Sequence, residues 1–211
     1  HLHWIGNGFI PSGGIGHLNR PIVWTLHDQW AFTGGCHYAA ECKRYCNACG
    51  ACPQLGSTYE HDLSRFGWMQ KRAAYARANI TVVTPSRWLA SCAQASSLLH
   101  QRRIEVIPNG IDIQQYRPLN QQATRAQLGL PRDKYLIMFG AESSTSDPRK
   151  GFHLLQSALQ RLSQAWQGQA ELIIFGADAP ANPPNFGLKA HYLGTISDDA
   201  KLAQLYAAVD V

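Results

Sequence analysis

Five of the chain's six cysteines fall in one short segment: Cys36, Cys42, Cys46, Cys49 and Cys52, with Cys92 alone. The spacing Cys36-x5-Cys42-x6-Cys49-x2-Cys52 closes on a C-x2-C pair. Two thiolates so placed can turn onto one ion, which makes a half-site for tetrahedral zinc. The pair Cys36 and Cys42 is spaced more widely than in a zinc ribbon or finger, and Cys46, His37 and His61 are spare candidates. A structural zinc on Cys36, Cys42, Cys49 and Cys52, disulfide pairing and plain reduced thiols all stay open. No leader is visible at His1, so disulfides are not the first reading, and a dense cluster in a reducing compartment more often means metal. No open coordination position is evident, so catalytic zinc is not expected.

Arg149-Lys150-Gly151 offers different chemistry. It follows an apolar run and a polar loop, where a helix should begin. A helix N-terminus presents free N–H groups and the positive end of the helix dipole, and two cations beside it make a diphosphate site. The plainer reading is a solvated basic turn. His27-Asp28 closes another apolar run; such a pair is either structural or a polar group able to hydrogen-bond a substrate hydroxyl or carbonyl.

The elements that must position these residues can be read from the apolar runs. Ile22–Leu26, Ile80–Val83, Ile104–Ile107, Tyr135–Phe139, Leu172–Phe175 and His191–Leu193 read as strands. Between them lie helical stretches: 59–78 with Phe66, Met69, Ala73 and Ala76 on one face, a helix capped by Ser86, one from Gly151 with Phe152, Leu155, Leu159 and Leu162, and Asp198–Ala208. Strands alternating with helices predict a parallel α/β sheet, whose ligands bind beyond the carboxyl ends of the strands. His27-Asp28, Ser86, Asn109-Gly110, Gly140 and Gly176 all fall at such ends. Residues 112–133 are rich in Gln, Pro and Arg, with a short helical piece from Thr124 to Leu128, and read as an interdomain linker.

Composition narrows the classes. The chain has 211 residues, 45% of them hydrophobic and 16% charged, which suits one large or two small globular domains. No apolar run approaches the roughly 18 residues of a membrane span. The net charge of +5 is spread thinly: the basic pairs Lys71-Arg72, Arg102-Arg103 and Arg149-Lys150 lie far apart and read as solvated surface, so nucleic acid is not an expected partner. The acids show no glycosidase-like pairing, and no hydrolase triad signature appears.

Pro21-Ile22-Val23-Trp24-Thr25-Leu26-His27-Asp28-Gln29-Trp30, Thr33-Gly34-Gly35-Cys36-His37-Tyr38 and Cys49-Gly50-Ala51-Cys52-Pro53-Gln54-Leu55 together resemble a bacterial branch of the family 4 glycosyltransferases. That branch works in exopolysaccharide, colanic-acid and lipopolysaccharide assembly. Thr84-Pro85-Ser86-Arg87-Trp88-Leu89, Ile107-Pro108-Asn109-Gly110-Ile111-Asp112 and Arg149-Lys150-Gly151-Phe152 extend the resemblance over nearly the whole chain.

The resemblance implies a GT-B fold: two partial Rossmann-like α/β domains, with parallel sheets and flanking helices. It implies residues 1–115 as an acceptor-side domain carrying a Cys-rich loop at 33–56, 116–133 as a linker, and 134–211 as a donor-nucleotide domain. It implies a retaining transfer from a nucleotide-sugar donor to a glycan or lipid-linked acceptor, with no cofactor for catalysis. His27 and Asp28 are implied beside the transferred sugar, and Gly140, Arg149 and Lys150 at the donor diphosphate. Ser86, Asn109, Gly110 and Asp112 are implied at the interdomain cleft. The expected setting is cytoplasmic, at the inner face of the membrane, with peripheral association. Two departures bear on this. Ala141 stands where many relatives carry Arg, and the family's acidic donor loop would follow Val211. The expectation is therefore an internal fragment, nearly inactive as it stands. The competing reading is a non-catalytic sugar-nucleotide-binding or zinc-containing interaction module.

Overall fold

The computed structural model describes residues 1–6, 8–140, 147–166 and 168–211. The chain divides into two compact units, His1–Gly110 and Ile111–Val211. The first holds a parallel sheet in the order β1 (Ile22–Thr25), β2 (Ile80–Thr84), β3 (Arg103–Val106). Trp24 pairs with Val82, and Val82 with Ile104. The crossovers carry α1 (Leu63–Tyr75) and α2 (Arg87–Ala95), as parallel strands require. Trp24 and Tyr75 are buried and meet edge to face, with ring centroids 5.9 Å apart. The Tyr75 hydroxyl donates to the Ala31 carbonyl at 2.8 Å, so burial leaves no polar atom unpaired there.

Helix α1 starts at Leu63, because Asp62 caps it by accepting from the Ser64 N–H at 2.9 Å and the Arg65 N–H at 3.2 Å. Its buried face corrects the sequence expectation. Trp68, Lys71, Ala74 and Tyr75 face the core, while Phe66 and Met69 are more than half exposed. The error came from scoring Lys71 as surface, which rotated the apolar stripe by about half a turn.

Between β1 and α1 runs a long segment whose only regular pieces are short 3-10 turns at Trp30–Phe32, Arg44–Cys46 and Pro53–Leu55. It packs tightly on α1. A Cβ at Gly34 would stand 2.2 Å from the Ser64 carbonyl oxygen, and one at Gly67 would stand 2.1 Å from the Gly34 carbonyl oxygen. Only glycine at both positions lets loop and helix backbones approach so closely.

The second unit orders β4 (Tyr135–Gly140), β5 (Ala170–Phe175) and β6 (Lys189–Tyr192) as a parallel sheet. Its helices are α3 (Gln121–Leu128), α4 (Phe152–Trp166) and α5 (Asp199–Ala208). Successive residues of β5 bury on opposite faces. Ile173 packs with Leu136 and Leu205, while Leu172 and Ile174 pack with Leu159 and Phe186. A strand covered on both faces must be apolar throughout, which explains the unbroken Leu-Ile-Ile run.

Residues 116–133, expected as a linker, contain α3, and α3 packs within the second unit. Asn120 caps it, accepting from the Ala123 N–H at 2.9 Å. Arg125 is buried, donating to the Ala208 carbonyl at 2.7 Å, the Lys134 carbonyl at 2.8 Å and Asp210 at 2.7 Å. Its Gln, Pro and Arg content read as linker around a short helical piece at Thr124–Leu128; the helix begins earlier, at Gln121, and the guanidinium satisfies three acceptors inside the unit.

Candidate active site

In the first unit the three parallel strands end side by side. His27 follows β1, Ser86 follows β2, and Asn109-Gly110 follows β3. The ladder continues past the strands, with the Leu26 N–H donating to Val83 and the Ile107 N–H to Thr84. His27 is exposed, and its Nε2 lies 3.1 Å from Nδ1 of His3, with the rings stacked at 5.4 Å. Asp28 is more enclosed. Its Oδ1 accepts from the Trp30 N–H at 2.8 Å, and its Oδ2 lies 2.6 Å from Nδ1 of His37. One oxygen therefore fixes the turn into the loop and the other orients a histidine ring.

The structure gives Ser86 a local task. Its Oγ accepts from the Leu89 N–H at 3.2 Å and caps α2. Asn109 and Gly110 are exposed at the end of the first unit. Asp112 belongs to the second unit and accepts from the Gln114 N–H at 2.8 Å, closing a turn.

In the second unit Gly140 ends β4, opposite Phe175 of β5. Ala141 and the rest of 141–146 lie outside the described residues. Beyond them, Pro148–Lys150 forms a 3-10 turn, and Gly151 adopts a left-handed conformation, φ 75°, before α4 begins at Phe152. Arg149 and Lys150 therefore sit directly before a helix of four turns, as the spacing predicted. Asp147 orders the turn, accepting from the Arg149 N–H at 3.0 Å and pairing its Oδ2 with the Arg149 guanidinium at 2.7 Å. These bonds hold the Asp147 carboxyl below the usual carboxylate range. Lys150 is exposed.

Cys36, Cys42, Cys49 and Cys52 line one cavity of about 440 Å³ with Gly34, Tyr45 and Ser64. All six cysteines are free thiols. The Gly34 N–H donates to Cys49 Sγ at 3.1 Å. Burial pushes the Cys49 thiol up, against that bond; burial also raises Cys36, against its hydrogen bond with Thr33. Among the described residues no group of three or more His, Cys, Asp or Glu side chains is already placed to hold a metal ion.

Lys71 is the principal residue that the sequence reading missed. It is 2% exposed, and its Nζ donates to the Thr33 carbonyl at 3.0 Å while lying 3.6 Å from the Trp30 ring centroid. Burial pulls it down to about 7, opposed by the charges of Cys49, Cys36 and Asp28. No periodic signal marks such a residue; the only hint was its place two turns into an amphipathic helix beside Trp68.

Two parallel three-stranded sheets with flanking helices define an α/β protein, matching solved GT-B glycosyltransferase structures. The model of Glycosyltransferase Family 4 matches residues 1–115, and the chain belongs to that family. Over 97 residues it is 30% identical to a protein of Escherichia coli (strain K12) named as a colanic acid biosynthesis glycosyl transferase, WcaC, covering 44% of this chain and 24% of that one. Over 119 residues it is 28% identical to the D-inositol 3-phosphate glycosyltransferase of Segniliparus rotundus, covering 52% and 26%. The chain thus spans about a quarter of the length of these curated relatives. Among solved structures, Anabaena HepE in complex with UDP superposes with a TM-score of 0.57 at 21% identity, over 94% of this chain and 48% of that one. Sucrose-phosphate synthase of Thermosynechococcus elongatus gives 0.56 at 19% identity, over 89% and 42%. These likenesses establish the fold.

Proposed function

We propose that the protein transfers a sugar, with retention at the anomeric carbon, from a nucleotide-sugar donor to a glycan or lipid-linked acceptor in cell-surface polysaccharide assembly. The observation that carries this reading is the pair Arg149 and Lys150 at the start of α4, in a chain of the glycosyltransferase family. When the bond from the anomeric carbon to the diphosphate oxygen breaks, negative charge grows on the departing nucleoside diphosphate. Fixed cations and a helix N-terminus stabilise that charge in the transition state more than in the bound donor. In this reading Lys150 meets the diphosphate directly, Arg149 flanks it in the geometry set by Asp147, and Gly140 contributes backbone at the strand end.

His27 is assigned to the transferred sugar as a hydrogen-bonding group, with Asp28 positioning the neighbouring turn. Asn109, Gly110 and Asp112 are assigned as backbone and polar contacts to the substrates. The transfer step is assigned to protein groups alone, with no metal in the chemistry. HepE bound to UDP and glucose and the name of WcaC support the donor class and the polysaccharide role. No described helix is long and apolar enough to cross a membrane. A lipid-linked acceptor accordingly implies peripheral work at the inner, cytoplasmic face.

Turnover tests the proposal. The protein is incubated with UDP-, GDP-, ADP- and dTDP-sugars and a bacterial lipid-linked oligosaccharide fraction, and free nucleoside diphosphate is measured. In a chain extended past both ends, one donor class should yield acceptor-dependent nucleoside diphosphate, lost in His27→Ala and Lys150→Ala, while the 211-residue chain should turn over little or none. Donor binding without any turnover would instead mark a sugar-nucleotide-binding module.

A further inference from the structure

The cysteine loop poses a problem that the transferase reading leaves unanswered. From Thr33 to Gly56 the chain contains two 3-10 turns and no strand or α-helix. A segment of that length inside a compact unit needs something other than a backbone ladder to fix it. Turn hydrogen bonds and scattered side-chain bonds hold it instead, among them the Thr33 hydroxyl to the Cys36 carbonyl at 2.7 Å, Gln54 to the Tyr38 carbonyl at 2.5 Å, and the Cys52 N–H to Asp62 at 2.8 Å. Two of its residues, Ala40 and Ala51, carry left-handed backbone at φ 49° and 43°.

Within that irregular scaffold, four of the five loop cysteines line one cavity. Cys36 lies within electrostatic reach of Cys42 and Cys52, and Cys49 within reach of all three. Cys46 does not line the cavity. The selection is the same Cys36, Cys42, Cys49, Cys52 set that ends in the C-x2-C pair. The Gly34 N–H already points at Cys49 Sγ, the kind of outer hydrogen bond that orients a metal-bound thiolate. Lys71, buried beneath the loop, donates to the Trp30 and Thr33 carbonyls and has Cys49, Cys36 and Asp28 as electrostatic neighbours. A buried ammonium is costly unless negative charge is nearby.

We propose that Cys36, Cys42, Cys49 and Cys52 close on a single structural zinc ion that pins the loop to α1, with Lys71 balancing part of the site's negative charge. Four thiolates and one divalent cation carry a net charge of −2, so a buried cation beside them is favourable. The site is closed to a fifth ligand, as structural rather than catalytic zinc sites are. The thiols ring the cavity rather than meeting at a point, so binding draws the loop inward; a segment without ladders gives way easily. Four thiol protons leave as the ion binds.

Elemental analysis of the protein purified without added metal tests this independently of sugar transfer. The result expected is about one zinc per chain, released as a mercurial reagent modifies the thiols. Cys49→Ser combined with Cys52→Ser should reduce zinc at least tenfold, while Cys92→Ser retains it. If the double variant does not fold, cobalt replacement in the wild-type protein still decides, through the visible bands of a tetrahedral thiolate site. Metal-free protein with these thiols freely titratable overturns the proposal. So do disulfides among them found by mass spectrometry, or bound iron with charge-transfer absorbance.

Discussion

Gly140, the last residue of β4, pairs with Phe175 so closely that a Cβ on the glycine would stand 2.1 Å from Cε1 and 2.2 Å from Cδ1 of the ring. The aromatic ring fills the space a side chain would take, at the strand end the donor reading needs. Gly140→Ala therefore forces the ring aside and is expected to destabilise the protein by about 1–3 kcal/mol. Phe175→Leu in the same chain should recover part of that loss. Urea midpoints check both. Identical midpoints for Gly140→Ala and wild type would mean that the ring swings away without cost.

Asp62 ties the cysteine loop to α1 through a charge. The Ser64 hydroxyl, the Cys52 N–H and the Arg65 N–H all donate to it, holding its carboxyl well below the ordinary carboxylate value. A carboxyl lowered in the folded state contributes stability that is present above its unfolded pKa of about 3.9 and lost as pH falls toward the folded value. Wild-type stability should fall from pH 5 downward, and Asp62→Asn should show a shallower fall over the same range. Parallel pH profiles would contradict the assignment.

Ser86 separates a cap from a substrate contact. Ser86→Ala should cost about 1 kcal/mol of stability, and Ser86→Asn, which can still accept from the N–H of α2's first turn, should cost much less. Nucleotide-sugar turnover per folded molecule should be unchanged in both. A large loss of turnover in the stable Ser86→Asn variant would return Ser86 to the site.

Arg125 has a side chain only 3% exposed, against 27% for its partner Asp210. Asp210→Ala leaves a buried guanidinium with carbonyl partners alone and should cost about 3–5 kcal/mol. Arg125→Met removes the charge as well and should cost less than Asp210→Ala. Thermal denaturation of the two variants gives the order directly, and the reverse order would show that the packing of the guanidinium stem matters more than its charge.

β5 was legible because it is apolar on both faces. Leu172-Ile173-Ile174 admits almost no other reading once each residue has a partner above or below. Arg149-Lys150 before α4 was legible for a similar reason: Gly151 and the Phe152, Leu155, Leu159 periodicity mark where a helix must start. Lys71 and Arg125 were not legible, because each is a charged residue buried by partners distant in sequence. Trp30 and Thr33 hold the one, and Ala208 and Asp210 hold the other. Reading Lys71 as solvated misplaced the face of α1, and the Gln, Pro and Arg content of 112–133 turned α3 into linker. His3, which stacks on His27, belongs to the same class, since only the fold brings them together. The cysteine spacing showed that Cys36, Cys42, Cys49 and Cys52 form a set, but not which residues would surround it.

The central claim is that Lys150 helps hold a donor diphosphate. The measurement is isothermal titration of the preferred nucleoside diphosphate into the wild-type protein and Lys150→Ala, at two salt concentrations. Loss of a charged contact should weaken binding at least tenfold, about 1.4 kcal/mol, and reduce its salt dependence. Equal affinity in the two proteins, or no binding of any nucleoside diphosphate to wild type, would contradict the account.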